Sequence, residues 1–142
     1  MTIRELAQKA QALNVQALKH KAVSNKSQLI VDLQRKQLRQ GKDADNNPLR
    51  AYYASYAKYK ATLSTYYAPA GVPDLYLTGS FHRGIHMKLS GDDYKLDSTD
   101  EKTGKLTGKY GHIFDLNSTS LIQARDSVTF EFNNLTRTAL GL

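Results

Sequence analysis

The chain has 142 residues, the size of one typical domain with room for one modest core. It contains no cysteine, which excludes a disulfide framework and a thiolate zinc site, and no apolar run approaches the ~18–20 residues of a membrane span. The formal charge of +7 is lopsided: residues 1–70 carry 12 Lys and Arg against 4 Asp and Glu, whereas residues 71–142 carry 8 against 9. A basic half of this kind points to a polyanion or an acidic protein neighbour, and equally to a solvated basic helix face. The start of the chain lacks the apolar block of a signal peptide, so a soluble protein made inside the cell is expected. Hydrophobic residues make up only 40%, on the low side for a globular chain, so surfaces of a partner are expected to complete the core.

In chain order, Ile3, Leu6, Ala10 and Leu13 recur at helical spacing. Thr2 followed by Glu5 gives a capping-box pattern. A second helix is expected over "VSNKSQLIVDLQRKQLRQG", capped by Asn25 or Ser27, with Gly41 at the position after its end. Leu29, Ile30, Leu33 and Leu38 form its apolar side. This basic pair of helices, residues 1–42, reads as a small head on an α+β domain spanning 43–142.

"KDADNNP" is a break. Asp43, Asp45 and Asn47 alternate as in a calcium loop, but Pro48 stands where such a loop needs glycine and Ala54 where it needs glutamate. A turn is expected instead. The following tyrosine-rich helix places Tyr52, Tyr56 and Tyr59 at helical spacing. Tyrosines in this pattern either stack on nucleic-acid bases or pack one face on a core or partner, the reading preferred here. After the break "APAGVP", Ile85, Met87 and Leu89 alternate with polar residues, and "SGDD" turns the chain into Tyr94 and Leu96, a β-hairpin pattern. Residues 100–117, rich in Gly, Thr and Lys, read as a loop with one helical turn near Tyr110. The last segment reads as one long helix from a cap at Ser118, with Leu121, Val128, Phe132, Leu135 and Ala139 on one face. Strand composition in "VTFEF" is the alternative over 127–133.

The stretch "VPDLYLTGSFHRGIH" is dense in reactive residue types but fits no catalytic spacing. Gly79 and Gly84 have the separation of a phosphate loop, yet Ile85 and His86 follow in place of Lys and Ser or Thr. Thr78 and His82 stand where a nucleophile elbow around Ser80 requires glycines. His82 and His86 are four apart, as two metal ligands on a helix would be, but Arg83 occupies the place of the zincin glutamate. The remaining histidines, His20 and His112, lie in distant segments. The stretch therefore reads as a turn, a short helix capped by Thr78 or Ser80, a permissive Gly79, and Phe81 and Ile85 pointing to one side. Gly84 is expected where the helix crowds the first hairpin strand. No catalytic residue, metal ligand or cofactor is assigned.

The order of elements and three short motifs, Leu77-Thr78-Gly79, the Phe81–Ile85 turn and the run from Lys109 to Phe114, resemble small virion proteins from the structural modules of tailed bacteriophages. The likeness is strongest to phages and prophages of Bacteroidetes-type hosts, and extends to the tail-completion and head–tail connector class. It covers roughly residues 40–120. The basic N-terminal helices are additional, and the proline-rich stretch usual before the last helix is missing. The resemblance implies an α+β subunit without enzymatic activity, assembled as a 6- or 12-fold homo-oligomeric ring at the virion neck or tail end. Its implied neighbours are a portal, adaptor or tail-tube ring. It also suggests non-specific contact with packaged DNA or an acidic partner through Lys36, Arg39, Lys42, Arg50, Lys58 and Lys60. Tyr52, Tyr56, Tyr59, Phe81, His82, Arg83 and His86 are the expected subunit-interface residues. A small basic DNA-binding protein is the alternative reading.

Overall fold

The computed structural model describes residues 1–142 as an α+β chain of seven helices and one two-stranded antiparallel sheet. Helix α1 spans Ile3–Gln11 and begins with the expected capping box, Thr2 Oγ1 accepting from Glu5 N and Glu5 accepting from Thr2 N. The next stretch holds two helices rather than one. Asn14 accepts from Ala17 N and starts α2 (Val15–Asn25), and Lys26, at φ −105° and ψ 12°, breaks the helical path before α3 (Ser27–Arg39). Neither Asn25 nor Ser27 caps α3, whose preceding residue is Lys26. Gly41 does follow its end at a positive φ of 74°.

The boundary expected at residue 42 runs through the core. Val31 and Leu38 of α3 are buried together with Leu49, Phe81, Ile85 and Ile113. On the other side of α3, Ile30 and Leu33 pack with Ala124 of the last helix. Two buried glutamines on α3 add specificity. Gln34 donates to Ile113 O and accepts from Asp115 N. Gln37 donates to Asp43 O and Asp115 O and accepts from Asn117 N. A buried amide satisfied at both ends holds a loop in one place and is costly to leave unpaired. The central helix therefore fixes the loop that leads into the C-terminal helix.

The segment 42–48 is the expected turn: Asp43 Oδ1 accepts from Asp45 N and Asn47 N, and Asn46 takes a positive φ. The tyrosine-rich helix, α4, is confined to Ala54–Ala61, so Tyr52 and Tyr53 precede it. A helical turn α5 (Ser80–Arg83) follows Gly79, which sits at φ 87° as its place before the turn demands. Gly79 has no side chain to cap α5, and the Thr78 hydroxyl accepts from Ser80 N at 3.4 Å. Phe81 and Ile85 both enter the core, and Gly84 meets the hairpin where a Cβ would lie 2.7 Å from Ser98 Oγ.

Strands β1 (Ile85–Ser90) and β2 (Asp93–Ser98) pair with Leu89 opposite Tyr94 and Met87 opposite Leu96. Gly91 has a positive φ at the first turn position, as a two-residue hairpin loop favours. The segment expected to hold one helical turn forms two, α6 (Thr103–Tyr110). Helix α7 (Ser118–Ala139) is continuous through 127–133, and its cap is Asn117, one residue before Ser118. It packs against α2 and α3. Its inward positions include Ala124, Val128, Phe132 and Leu135, while Leu121 and Ala139, expected on that face, are exposed.

Candidate functional site

The site grows from a buried ion pair. Lys60 Nζ lies 2.7 Å from Asp74 Oδ1, with side-chain exposures of 1% and 0%. Lys60 also donates to Tyr76 O. Asp74 Oδ1 accepts from Tyr76 N and from the Tyr52 hydroxyl, which in turn accepts from Asp74 N. Burial pushes the Tyr52 phenol well above its ordinary pKa, and the adjacent Asp74 charge adds to the rise. The pair ties the last turn of α4 to the loop that precedes α5. Lys60 was expected on a DNA- or partner-facing surface; it is instead enclosed, because a counter-charge fourteen residues later compensates its burial.

Above this pair opens a cleft of about 720 Å3, within the range of small-ligand sites. Tyr52 and Tyr53 come from the residues just before α4, Tyr56 from α4, Tyr76 from the loop before α5, Tyr110 from the end of α6, and Phe81 from α5. Tyr52 and Tyr56 meet edge to face at a centroid distance of 4.8 Å, and Tyr56 continues the row to Tyr59 at 5.8 Å. The tyrosines thus pack chiefly on one another. Burial raises the Tyr56 phenol as it does that of Tyr52, and Tyr110 lines the same space from α6. Arg50, Lys102 and Lys109 also line the cleft, and no Asp or Glu does.

The residues expected to share a surface divide. Arg50, Tyr52, Tyr56, Lys60 and Phe81 line the cleft. Phe81 and His82 are buried inside the subunit and are not free interface residues as expected. His82 Nε2 pairs with Asp74 O at 2.9 Å, and its pKa is lowered to about 4, mainly by burial. With the carbonyl as acceptor, the neutral ring carries its proton on Nε2. His86 lies on β1 and pairs through Nδ1 with Gly84 O, so the two histidines do not share a helical face. Arg83 and Tyr59 are exposed, as an interface role requires.

Among the basic candidates, Lys36, Arg50 and Lys58 are exposed and Lys42 is half-buried. Arg39 is committed within the subunit: its guanidinium lies over the Tyr76 ring at 4.0 Å and the Tyr67 ring at 4.9 Å, and it donates to Thr65 O. Sequence reasoning missed Asp74, Tyr76, Lys102 and the cleft role of Lys109 and Tyr110. Their signals were single residues in separate segments, with no spacing to join them.

Chemically, the cleft offers stacking faces, phenol hydroxyls and cations. No helix is long and apolar enough to cross a membrane. In comparisons with known proteins, the chain matched no family model, no curated protein and no solved structure.

Proposed function

We propose that the chain is a non-enzymatic structural subunit of a tailed-bacteriophage virion, one that forms an oligomeric ring at the head–tail neck or tail end, as a connector, tail-completion or terminator protein. The phage assignment rests on the resemblance of residues 40–120. The observation that carries assembly is an excess of surface. A folded monomer of 15.9 kDa is expected to expose about 7,400 Å2, whereas this chain exposes 8938 Å2. The difference, roughly 1,500 Å2, is close to two patches of about 800 Å2. A ring subunit uses two such patches, one toward each neighbour. Apolar side chains are left uncovered on the outer elements: Ile3 on α1, and Leu121, Ile122 and Phe130 on α7.

Light scattering coupled to size exclusion tests this reading. Mass should step from monomer to a closed ring as concentration rises, and Ile122→Asp with Phe130→Asp should hold the chain monomeric. A chain that stays monomeric at high concentration, alone and with a portal or tail-tube protein, overturns it.

The basic DNA-binding alternative keeps one supporting observation: Lys36, Arg50 and Lys58 are exposed and belong to none of the six ion pairs. It requires duplex affinity that falls steeply with salt and is reduced by Lys36→Gln and Lys58→Gln. Within a ring, the same cations would meet DNA through its phosphates without reading bases.

A further inference from the structure

The tyrosine-lined cleft has two properties that a merely structural crevice does not need. Its aromatic walls come from separate parts of the chain: Tyr52 and Tyr53 before α4, Tyr56 on it, Tyr76 before α5, Phe81 in it, and Tyr110 on α6. Arg50, Lys102 and Lys109, all exposed, line it as well. None of these three cations enters an ion pair. The nearby Asp100 carboxylate is turned to its own loop, where Oδ1 accepts from Lys102 N at 2.9 Å. Lys60, which also lines the cleft, is neutralised by Asp74, so the unmatched positive charge of the lining belongs to Arg50, Lys102 and Lys109, beside its aromatic rings.

This polarity selects the ligand. Rings at the walls favour a flat π-system, which stacks on tyrosine faces. Unpaired Lys and Arg along the same lining favour an anionic group held by charge-assisted hydrogen bonds. A volume of about 720 Å3 accommodates a molecule that has both parts. An acidic peptide would match the cations but leave the aromatic rings unsatisfied, and a neutral aromatic compound would do the reverse. We infer that this cleft binds a nucleoside phosphate, its base against Tyr53, Tyr56 and Tyr110 and its phosphates at Arg50, Lys102 and Lys109. The inference stands on the cleft alone and does not depend on ring assembly.

Calorimetric titration of the full chain with ATP, adenosine, tripolyphosphate and a tetraglutamate peptide tests it. ATP should bind at one site per chain, at least about tenfold more tightly than adenosine or tripolyphosphate, because each of those keeps only half of the contacts. Tetraglutamate should not compete. Lys102→Gln with Lys109→Gln should weaken ATP about tenfold or more and leave adenosine unchanged. Tyr53→Ala, at a side chain 84% exposed, should weaken ATP and adenosine alike without changing the thermal midpoint of the free protein. Absence of ATP heat, equal affinity for tetraglutamate, or ATP binding insensitive to both sets of substitutions overturns the inference. Ring formation unaffected by ATP would leave the assembly reading intact, so the two proposals fail separately.

Discussion

Lys60 and Asp74 form an ion pair with both side chains excluded from water, their charged atoms 2.7 Å apart. Such a pair offsets the desolvation of two charges only while both are present. Lys60→Met therefore strands the Asp74 carboxylate and should destabilise the fold by about 3–5 kcal/mol, a large share of an ordinary domain's stability. The double variant Lys60→Met with Asp74→Leu should recover part of that loss. Recovery is incomplete because Tyr76 N and the Tyr52 hydroxyl lose their acceptor. Urea unfolding of the three proteins measures the difference, and a single variant no weaker than the double would contradict it.

Acid should weaken the protein through His82. Its folded pKa is lowered to about 4, chiefly by burial, against about 6.5 in an unfolded chain. Above the unfolded value neither state binds the proton and stability is unaffected. As pH falls between the two values, the unfolded state takes up the proton first. Stability should drop by up to about 3 kcal/mol over that window. His82→Gln should flatten the dependence. The exposed His112, paired with Asp115 at 2.9 Å, has a raised pKa and works in the opposite sense: its contribution is present at low pH and is lost as pH rises through its folded value. Unfolding free energies at pH 7 and pH 4.5, for the parent and each histidine variant, separate the two.

Two glycines should respond oppositely to alanine. At Gly84 the new methyl would lie 2.7 Å from Ser98 Oγ, 2.9 Å from Thr99 Oγ1 and 3.1 Å from Asp100 N. Moving strand and backbone together to admit it should cost about 1–3 kcal/mol. Gly108, inside α6 with open space around its α-carbon, should gain up to about 1 kcal/mol as alanine, from helix propensity. Paired denaturation curves check both signs.

Arg39→Lys removes the planar guanidinium between Tyr67 and Tyr76. A loss of about 1 kcal/mol in stability is expected. Lys36→Gln, on the same helix but exposed, should leave stability within about 0.5 kcal/mol. Thermal melts of both variants distinguish a cation used for folding from one left free for a partner.

Locally determined features were readable from the sequence. The hairpin followed from period-two alternation around "SGDD", the capping box from Thr2 and Glu5, and the uninterrupted last helix from the absence of breakers before Gly141. Helix α2 was not assigned as a separate element, although Asn14 before "VQAL" was an available cap signal. Helix α6 was missed because Gly104 and Gly108 suppress its propensity. The enclosed Lys60 was unreadable for a different reason. On a helix with Lys58 and Tyr59 beside it, a lysine reads as solvated, and only the three-dimensional return of Asp74 reverses that. The cleft is non-local in the same way, since its walls lie up to 60 residues apart along the chain.

The hairpin's inner pair, Met87 and Leu96, touches both hydrophobic clusters: the one built on Leu38, Phe81 and Ile113, and the one joining α3 to α7. Neither cluster is large, and α3 alone contributes buried residues to both. The cross-strand pair is thus a second coupling between them, placed far along the chain from the first. Melting of the two clusters should therefore be coupled. A cavity at Met87 would loosen that coupling, letting the C-terminal helix exchange its amide hydrogens through a partial opening while the cluster of Leu38, Phe81 and Ile113 stays packed.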